Sequence, residues 1–190
     1  QVTIGSTSCV LEKPFLVFAT QNPIEQEGTY RLPEAQIDRF MFKLLVDYPN
    51  KEQEREMLRK QPDVEIVHQV ISKEQIFETQ RLLDDIYVDE KVMNYIVDLS
   101  HATRNPQKYG LIKEASFLKY GASPRATLAL HKAARAHAFL KHRHFVTPDD
   151  VKAVAPAILR HRLVLSYEAE AENVLPDTIV HAILNTVPAP

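Results

Sequence analysis

Cysteine is nearly missing: Cys9 is the single one in 190 residues. An internal disulfide is therefore excluded, and a reducing cytoplasm is the expected compartment. Glycine is scarce too, with only Gly5, Gly28, Gly110 and Gly121, none near another. A loop that cradles phosphate with backbone N–H groups needs several glycines close together, so no such loop is present. No apolar run approaches the roughly 20 residues that span a bilayer. Neither sign of charge dominates: the formal net charge is -2. Nothing global draws the chain toward nucleic acid or an anionic membrane. Gln1-Val2-Thr3-Ile4 lacks the basic start and apolar core of a signal peptide. It also lacks an initiator Met, so the chain reads as a piece of a longer protein.

What is present belongs to a folded chain. Hydrophobic residues make up 45% and charged residues 25%, enough to build a core. The first 48 residues carry strand patterns. Gln1 to Ile4 alternates polar and apolar, Gly5-Ser6-Thr7-Ser8 is a turn, and Cys9-Val10-Leu11 suits the returning arm of a hairpin. Phe15-Leu16-Val17-Phe18-Ala19 is a continuous apolar run, the pattern of a strand buried on both faces. A polar loop from Ile24 to Pro33 leads to a short helix, Glu34 to Arg39, with Pro33 preset for its start. Phe40 to Val46 is a second apolar strand. Strand, helix, strand is one βαβ unit, so the two strands are expected parallel and adjacent.

After Tyr48-Pro49-Asn50 the pattern turns helical. Asn50 suits the cap of a helix from Lys51 to Gln61, in which Glu56 and Lys60 are four residues apart. Ser72 caps Lys73 to Leu83, and Asp89 opens a helix to about Arg104 with Val92, Tyr95, Ile96 and Leu99 on one face. Asn105 to Gly121 reads as a loop. Ser123-Pro124 starts a long Ala-rich helix to about Lys141, Thr147-Pro148 another to about Arg160, and a last one runs from about Leu175 to Val187. The predicted fold class is an α/β fragment followed by an all-α bundle, mostly helical overall. The expected domains are residues 1–48 and 49–190. The first is too small to bury a core alone.

Three residues are candidates for chemistry. Asn22 directly follows the first buried strand, at the sheet edge where ligands bind in open parallel sheets. Its amide can hold a water or touch a phosphate oxygen, although Asn-Pro also makes ordinary turns. Arg39 ends the short helix, where a cation suits the dipole and Asp38 is at hand as an ion-pair partner. Topology gives it a second reading. A strand of five or six residues spans roughly 17–20 Å, so Arg39 lies far from a ligand near Asn22 of the same chain. Contact with nucleotide would then come from a neighbouring subunit, as an arginine finger. Arg125 sits in the first turn of a helix, the wrong end of the dipole for a cation. Either it points into water, or an anion is held there by the helix start and the guanidinium together.

Other clusters read as surface. His137, His142 and His144 lie near Arg143 without a cysteine or a carboxylate at ligand spacing, so no metal site is assigned. Lys132, Arg135, Lys141 and Arg143 form a solvated basic face, and Glu25, Glu27 and Glu34 a solvated polar loop.

The stretch Phe15-Leu16-Val17-Phe18-Ala19-Thr20-Gln21-Asn22-Pro23-Ile24-Glu25-Gln26-Glu27-Gly28-Thr29-Tyr30, continued by Leu32-Pro33-Glu34-Ala35-Gln36-Ile37-Asp38-Arg39-Phe40, closely resembles the MoxR family of AAA+ ATPases. Gly121-Ala122-Ser123-Pro124-Arg125-Ala126 resembles its sensor 2 region, and Thr147-Pro148-Asp149-Asp150-Val151 is similar to its lid. The likeness covers essentially the whole chain. It implies that residues 1–48 are the C-terminal part of a AAA+ nucleotide-binding core and 49–190 the helical lid. It implies Asn22 as the sensor 1 residue, Arg39 as the arginine finger and Arg125 as the sensor 2 arginine. The Val2 to Leu11 segment is similar to the extra hairpin before sensor 1. ATP and Mg²⁺ are the implied cofactors. The Walker A loop and Walker B carboxylates are absent from this chain, which is expected to be inactive by itself. Implied partners are further copies in a ring, read as a hexamer, and proteins with von Willebrand factor A domains. The implied role is chaperone-like maturation or activation of other proteins. The alternatives are a DNA-remodelling or helicase-type AAA+ motor, and a non-catalytic helical interaction module.

Overall fold

The computed structural model describes residues 2–21, 32–59 and 67–190. A hairpin comes first, with β1 (Val2–Ile4) antiparallel to β2 (Thr7–Cys9) and Thr3 opposite Ser8. Its returning arm is Thr7–Cys9 rather than the expected Cys9 to Leu11. Gly5, at φ +62°, turns the chain in two residues, a conformation glycine adopts without a Cβ clash.

The expected βαβ unit does not form among the described residues. Phe15 to Ala19 and Phe40 to Val46 carry no strand ladder, and Phe18 and Val46 are 89% and 93% exposed. A parallel strand gains stability from neighbours on both edges and cover on both faces. Neither run has them here. The Lys43 N–H instead donates to the Ala157 carbonyl at 2.8 Å, across to the helical part. The short helix α1 (Glu34–Ile37) lies between the two runs.

The helical part matches its caps closely. Asn50 Oδ1 accepts from the N–H groups of Glu52 and Gln53 at the start of α2 (Lys51–Arg59). The expected Glu56–Lys60 pair lies outside the described residues. Ser72 and Gln75 form a capping box on α3 (Lys73–Asp84), and Asp89 accepts from the Lys91 N–H on α4 (Glu90–Arg104). The segment read as a loop is structured. A 3₁₀ turn, Pro106–Tyr109, leads into α5 (Ile112–Phe117) and β3 (Leu118–Tyr120). Strand β3 pairs antiparallel with β4 (Val164–Leu165), more than 40 positions on in sequence, so local pattern could not signal it. Helices α6 (Pro124–Leu140) and α7 (Pro148–Leu159) follow as expected. A short helix α8 (Tyr167–Ala171), not foreseen, precedes α9 (Pro176–Thr186).

Helices α4, α6, α7 and α9 enclose one core. Leu99, Leu130, Ile158, Ile179 and Ile183 are its fully buried centre. Five of the six alanines of α6, Ala126, Ala129, Ala133, Ala134 and Ala138, are buried, and such small side chains let helices approach closely. Among the described residues no helix is long and apolar enough to cross a membrane.

Candidate functional site

The start of α6 is fixed from beneath. The Ala122 N–H donates to Thr103 Oγ1 at 3.0 Å, and Arg104 Nε donates to the Ala122 carbonyl at 2.6 Å. Gly121 permits this close approach: a Cβ there would overlap the Thr103 carbonyl and lie 2.7 Å from the Arg104 nitrogen. Ser123 is the N-cap, its Oγ accepting from the Arg125 N–H at 3.2 Å. The loop thus delivers Arg125 at a helix start whose position is set by the end of α4.

The anion at that helix start is the protein's own Asp38. Ser123 Oγ lies 2.8 Å and 3.0 Å from the two Asp38 carboxylate oxygens, and Arg125 Nη1 donates to Oδ2 at 3.1 Å. Arg162 Nε donates to Oδ1 at 3.1 Å. Burial pushes the Asp38 carboxyl up, but the hydrogen bonds from Ser123 and Arg125 and the charge of Arg162 outweigh it. The carboxyl is held below its ordinary range. The sequence had offered Asp38 as a partner for Arg39, and that pairing is not formed. Asp38 turns instead to the helical part, 85 and more positions away.

Arg162 is the deepest member, its side chain 2% exposed. It donates to the carbonyls of Asp38 at 3.2 Å, Phe40 at 2.6 Å and Met41 at 3.2 Å, and to that of Ile158. Its neighbours extend the same seam. His161 Nε2 meets the Phe40 carbonyl at 3.0 Å, and Arg160 donates to the Lys43 carbonyl at 3.0 Å and to Asp177. Burial first, with Arg162 and Lys43 adding, pushes His161 down to about 4. The ring is therefore neutral near pH 7, and Nε2 carries the proton it donates to Phe40. Three consecutive residues after α7 thus hold the backbone of residues 38–43.

Of the three sequence candidates, Asn22 lies outside the described residues. Arg39 follows α1 and is exposed, with no side-chain hydrogen bond or ion pair among the described residues. Arg125 is half exposed, and it is brought against Asp38, the chain neighbour of Arg39. Two guanidinium groups, those of Arg125 and Arg162, thus share one carboxylate, and with the exposed Arg39 next in the chain the patch keeps a cationic character that suits polyphosphate. The residues present fit ATP as phosphate contacts only. Among the described residues no group of three or more His, Cys, Asp or Glu is placed to hold a metal ion. His137 lies 2.7 Å from the buried Asp150, which Arg143 also clamps.

Sequence reasoning missed Asp38, Arg160, His161 and Arg162 as a unit. A signal existed in part. Arg162 lies between Leu159 and the apolar pair Leu163-Val164, and a buried guanidinium must find acceptors.

Two family models match the chain. The ATPase family associated with various cellular activities (AAA) matches residues 1–42, and the AAA lid domain matches residues 113–183. Chaperone MoxR1 of Mycobacterium tuberculosis is 42% identical over 190 residues, covering 100% of this chain and 50% of its own length. Protein MoxR of Paracoccus denitrificans is 34% identical, covering 92% of this chain and 56% of its own. The crystal structure of a candidate ATPase from Cytophaga hutchinsonii superposes with a TM-score of 0.92 at 45% identity, over 100% of this chain and 58% of that one. The chain therefore spans about half the length of the curated relatives it matches. With the AAA match at its start and the lid match in its helical part, it belongs to the MoxR family of AAA+ ATPases and corresponds to the C-terminal portion.

Proposed function

We propose that the protein hydrolyses ATP between subunits of a ring, and that the work drives chaperone-like maturation or activation of partner proteins. Residues 1–48 belong in this reading to the nucleotide-binding core and 49–190 to the lid. The phosphate-binding loop and the carboxylates for Mg²⁺ come from the part of the relatives' length that this chain does not span. ATP and Mg²⁺ supply the phosphoryl group and its charge neutralisation when bound. Arg39 stabilises the charge of the transferring group on a neighbouring subunit, Arg125 contacts phosphate and reports it to the lid, and Asn22 orients the attacking water. Partners with von Willebrand factor A domains suit this reading.

The observation that carries it is the seam between residues 38–43 and 160–162. The segment that ends in the exposed Arg39 is tied to the helical part at the same carboxylate that holds Arg125. A lid movement therefore moves both arginines together, which is what a machine coupling nucleotide state to shape requires.

Arg39→Ala in the full-length protein tests the finger. ATP binding should stay near normal while turnover falls by roughly 10³–10⁵. If Arg39 serves the helix dipole alone, turnover should not change. A second test uses the 190-residue chain by itself. Calorimetry with ATP and Mg²⁺ should show neither tight binding nor turnover, since the loop that makes most phosphate contacts is missing. Micromolar binding with hydrolysis would refute that part of the reading.

A further inference from the structure

Arg125 is held by one of its five N–H donors. Nη1 meets Asp38 Oδ2 at 3.1 Å, and among the described residues the remaining N–H groups of the guanidinium find no partner. Its side chain is 54% exposed, whereas that of Asp38 is 16% exposed. Asp38 is in turn fixed by groups that cannot easily move. Ser123 Oγ bonds it from the α6 cap, and Arg162 holds it from a site 2% exposed. A carboxylate that occupied every donor of Arg125 would block a phosphate contact. One that takes a single donor, from a rigid seat, restricts the side chain and leaves the rest of the fork open to a ligand.

We infer that Asp38 is a positioning residue for the hydrolytic site: it orients Arg125 toward phosphate and fixes that arginine in register with Arg39, its own chain neighbour. This inference rests on the sensor role proposed for Arg125. Asp38 touches no reacting atom. It acts through Arg125, and its effect must vanish when Arg125 is gone.

A purely structural Asp38 would act differently. Losing it would loosen Arg162 and the docking of residues 38–43, whatever stands at position 125. A double-mutant cycle on steady-state ATPase activity separates the two. The cycle uses the full-length protein with Asp38→Asn, Arg125→Ala and the pair, and thermal melts accompany each variant. Asp38→Asn keeps the side-chain size and an acceptor for Ser123. It should lower kcat about 10- to 100-fold, the scale of a misplaced catalytic group, with KM for ATP changed less than about threefold. The double variant should turn over no more slowly than Arg125→Ala alone. If Asp38→Asn does not fold, Asp38→Glu, which keeps a charge beside Arg162, goes through the same cycle. Two results overturn the inference while leaving the sensor role standing. One is an unchanged kcat in the Asp38 variant; the other is a double variant slower by the product of the single effects. An Arg125→Ala protein with unaltered ATP affinity and turnover would overturn both.

Discussion

Two regions of this chain both carry apolar side chains and treat them in opposite ways. Phe15 to Ala19 and Leu44 to Val46 are hydrophobic runs that remain exposed, while the helices between Glu90 and Thr186 bury theirs. The difference lies in what each can supply for itself. A helix satisfies its own backbone hydrogen bonds and needs only a neighbouring stripe to cover one face. Helices α4, α6, α7 and α9 provide such stripes for each other. A buried strand needs hydrogen-bonded neighbours and two covered faces, and these two runs do not pair. Hydrophobicity shows that a segment is meant to be covered, without showing by what.

The largest effect should come from the core. Leu130→Ala or Ile158→Ala, both at fully buried positions, should destabilise the chain by about 2–5 kcal/mol. Phe18→Ala in the same chain should change stability by no more than about 0.5 kcal/mol, since that ring is 89% exposed. Thermal or urea unfolding of the three variants makes the comparison. In the full-length protein the Phe18→Ala cost should rise to about 3–5 kcal/mol if further strands cover the run. A Phe18 cost near zero there would mean that the run is not part of a sheet core.

Next in size is Arg162→Ala. It removes the donor shared by Asp38 and the carbonyls of Phe40 and Met41. Breaking a buried charged contact costs about 3–5 kcal/mol at the upper end, and less here because Asp38 is only partly buried. Hydrogen exchange should quicken at the Lys43 N–H, which loses its seat on Ala157, while amides at the centre of α6 stay protected. Uniform quickening would show that the seam and the core open as one unit.

A smaller effect depends on pH. The His161 ring is pushed down to about 4, against about 6.5 for a free histidine. Between these values the unfolded chain binds a proton that the folded one refuses. Stability should therefore rise as pH is raised from about 4 to 6.5, by on the order of 3 kcal/mol at most. His161→Gln should flatten that rise, and melting curves at pH 5 and pH 7 suffice to see it. An undiminished slope in the variant would assign the pH dependence elsewhere.

Much of the helical part was legible because caps are local. Ser72, Asp89, Ser123 and Thr147 each mark a helix start within one residue. The pairing of β3 with β4 was not legible, because it joins residues far apart in sequence through a few backbone bonds. The site divides in the same way. Arg125 was singled out because a cation at a helix start calls for an anion, and the structure supplies one. That the anion is Asp38 depended on a contact across 87 positions. Arg39 was singled out by resemblance and topology, and its exposed place after α1 agrees with either of its readings.

Those readings separate most directly in mixed rings. Subunits carrying Arg39→Ala with an intact nucleotide site are combined with subunits whose phosphate-binding loop is disabled but whose Arg39 is kept. Each preparation should be inactive by itself. Under conditions where subunits exchange, ATPase activity should reappear, because the intact Arg39 of one subunit serves the nucleotide site of its neighbour. If exchange is verified and no activity returns, Arg39 does not act across the subunit boundary.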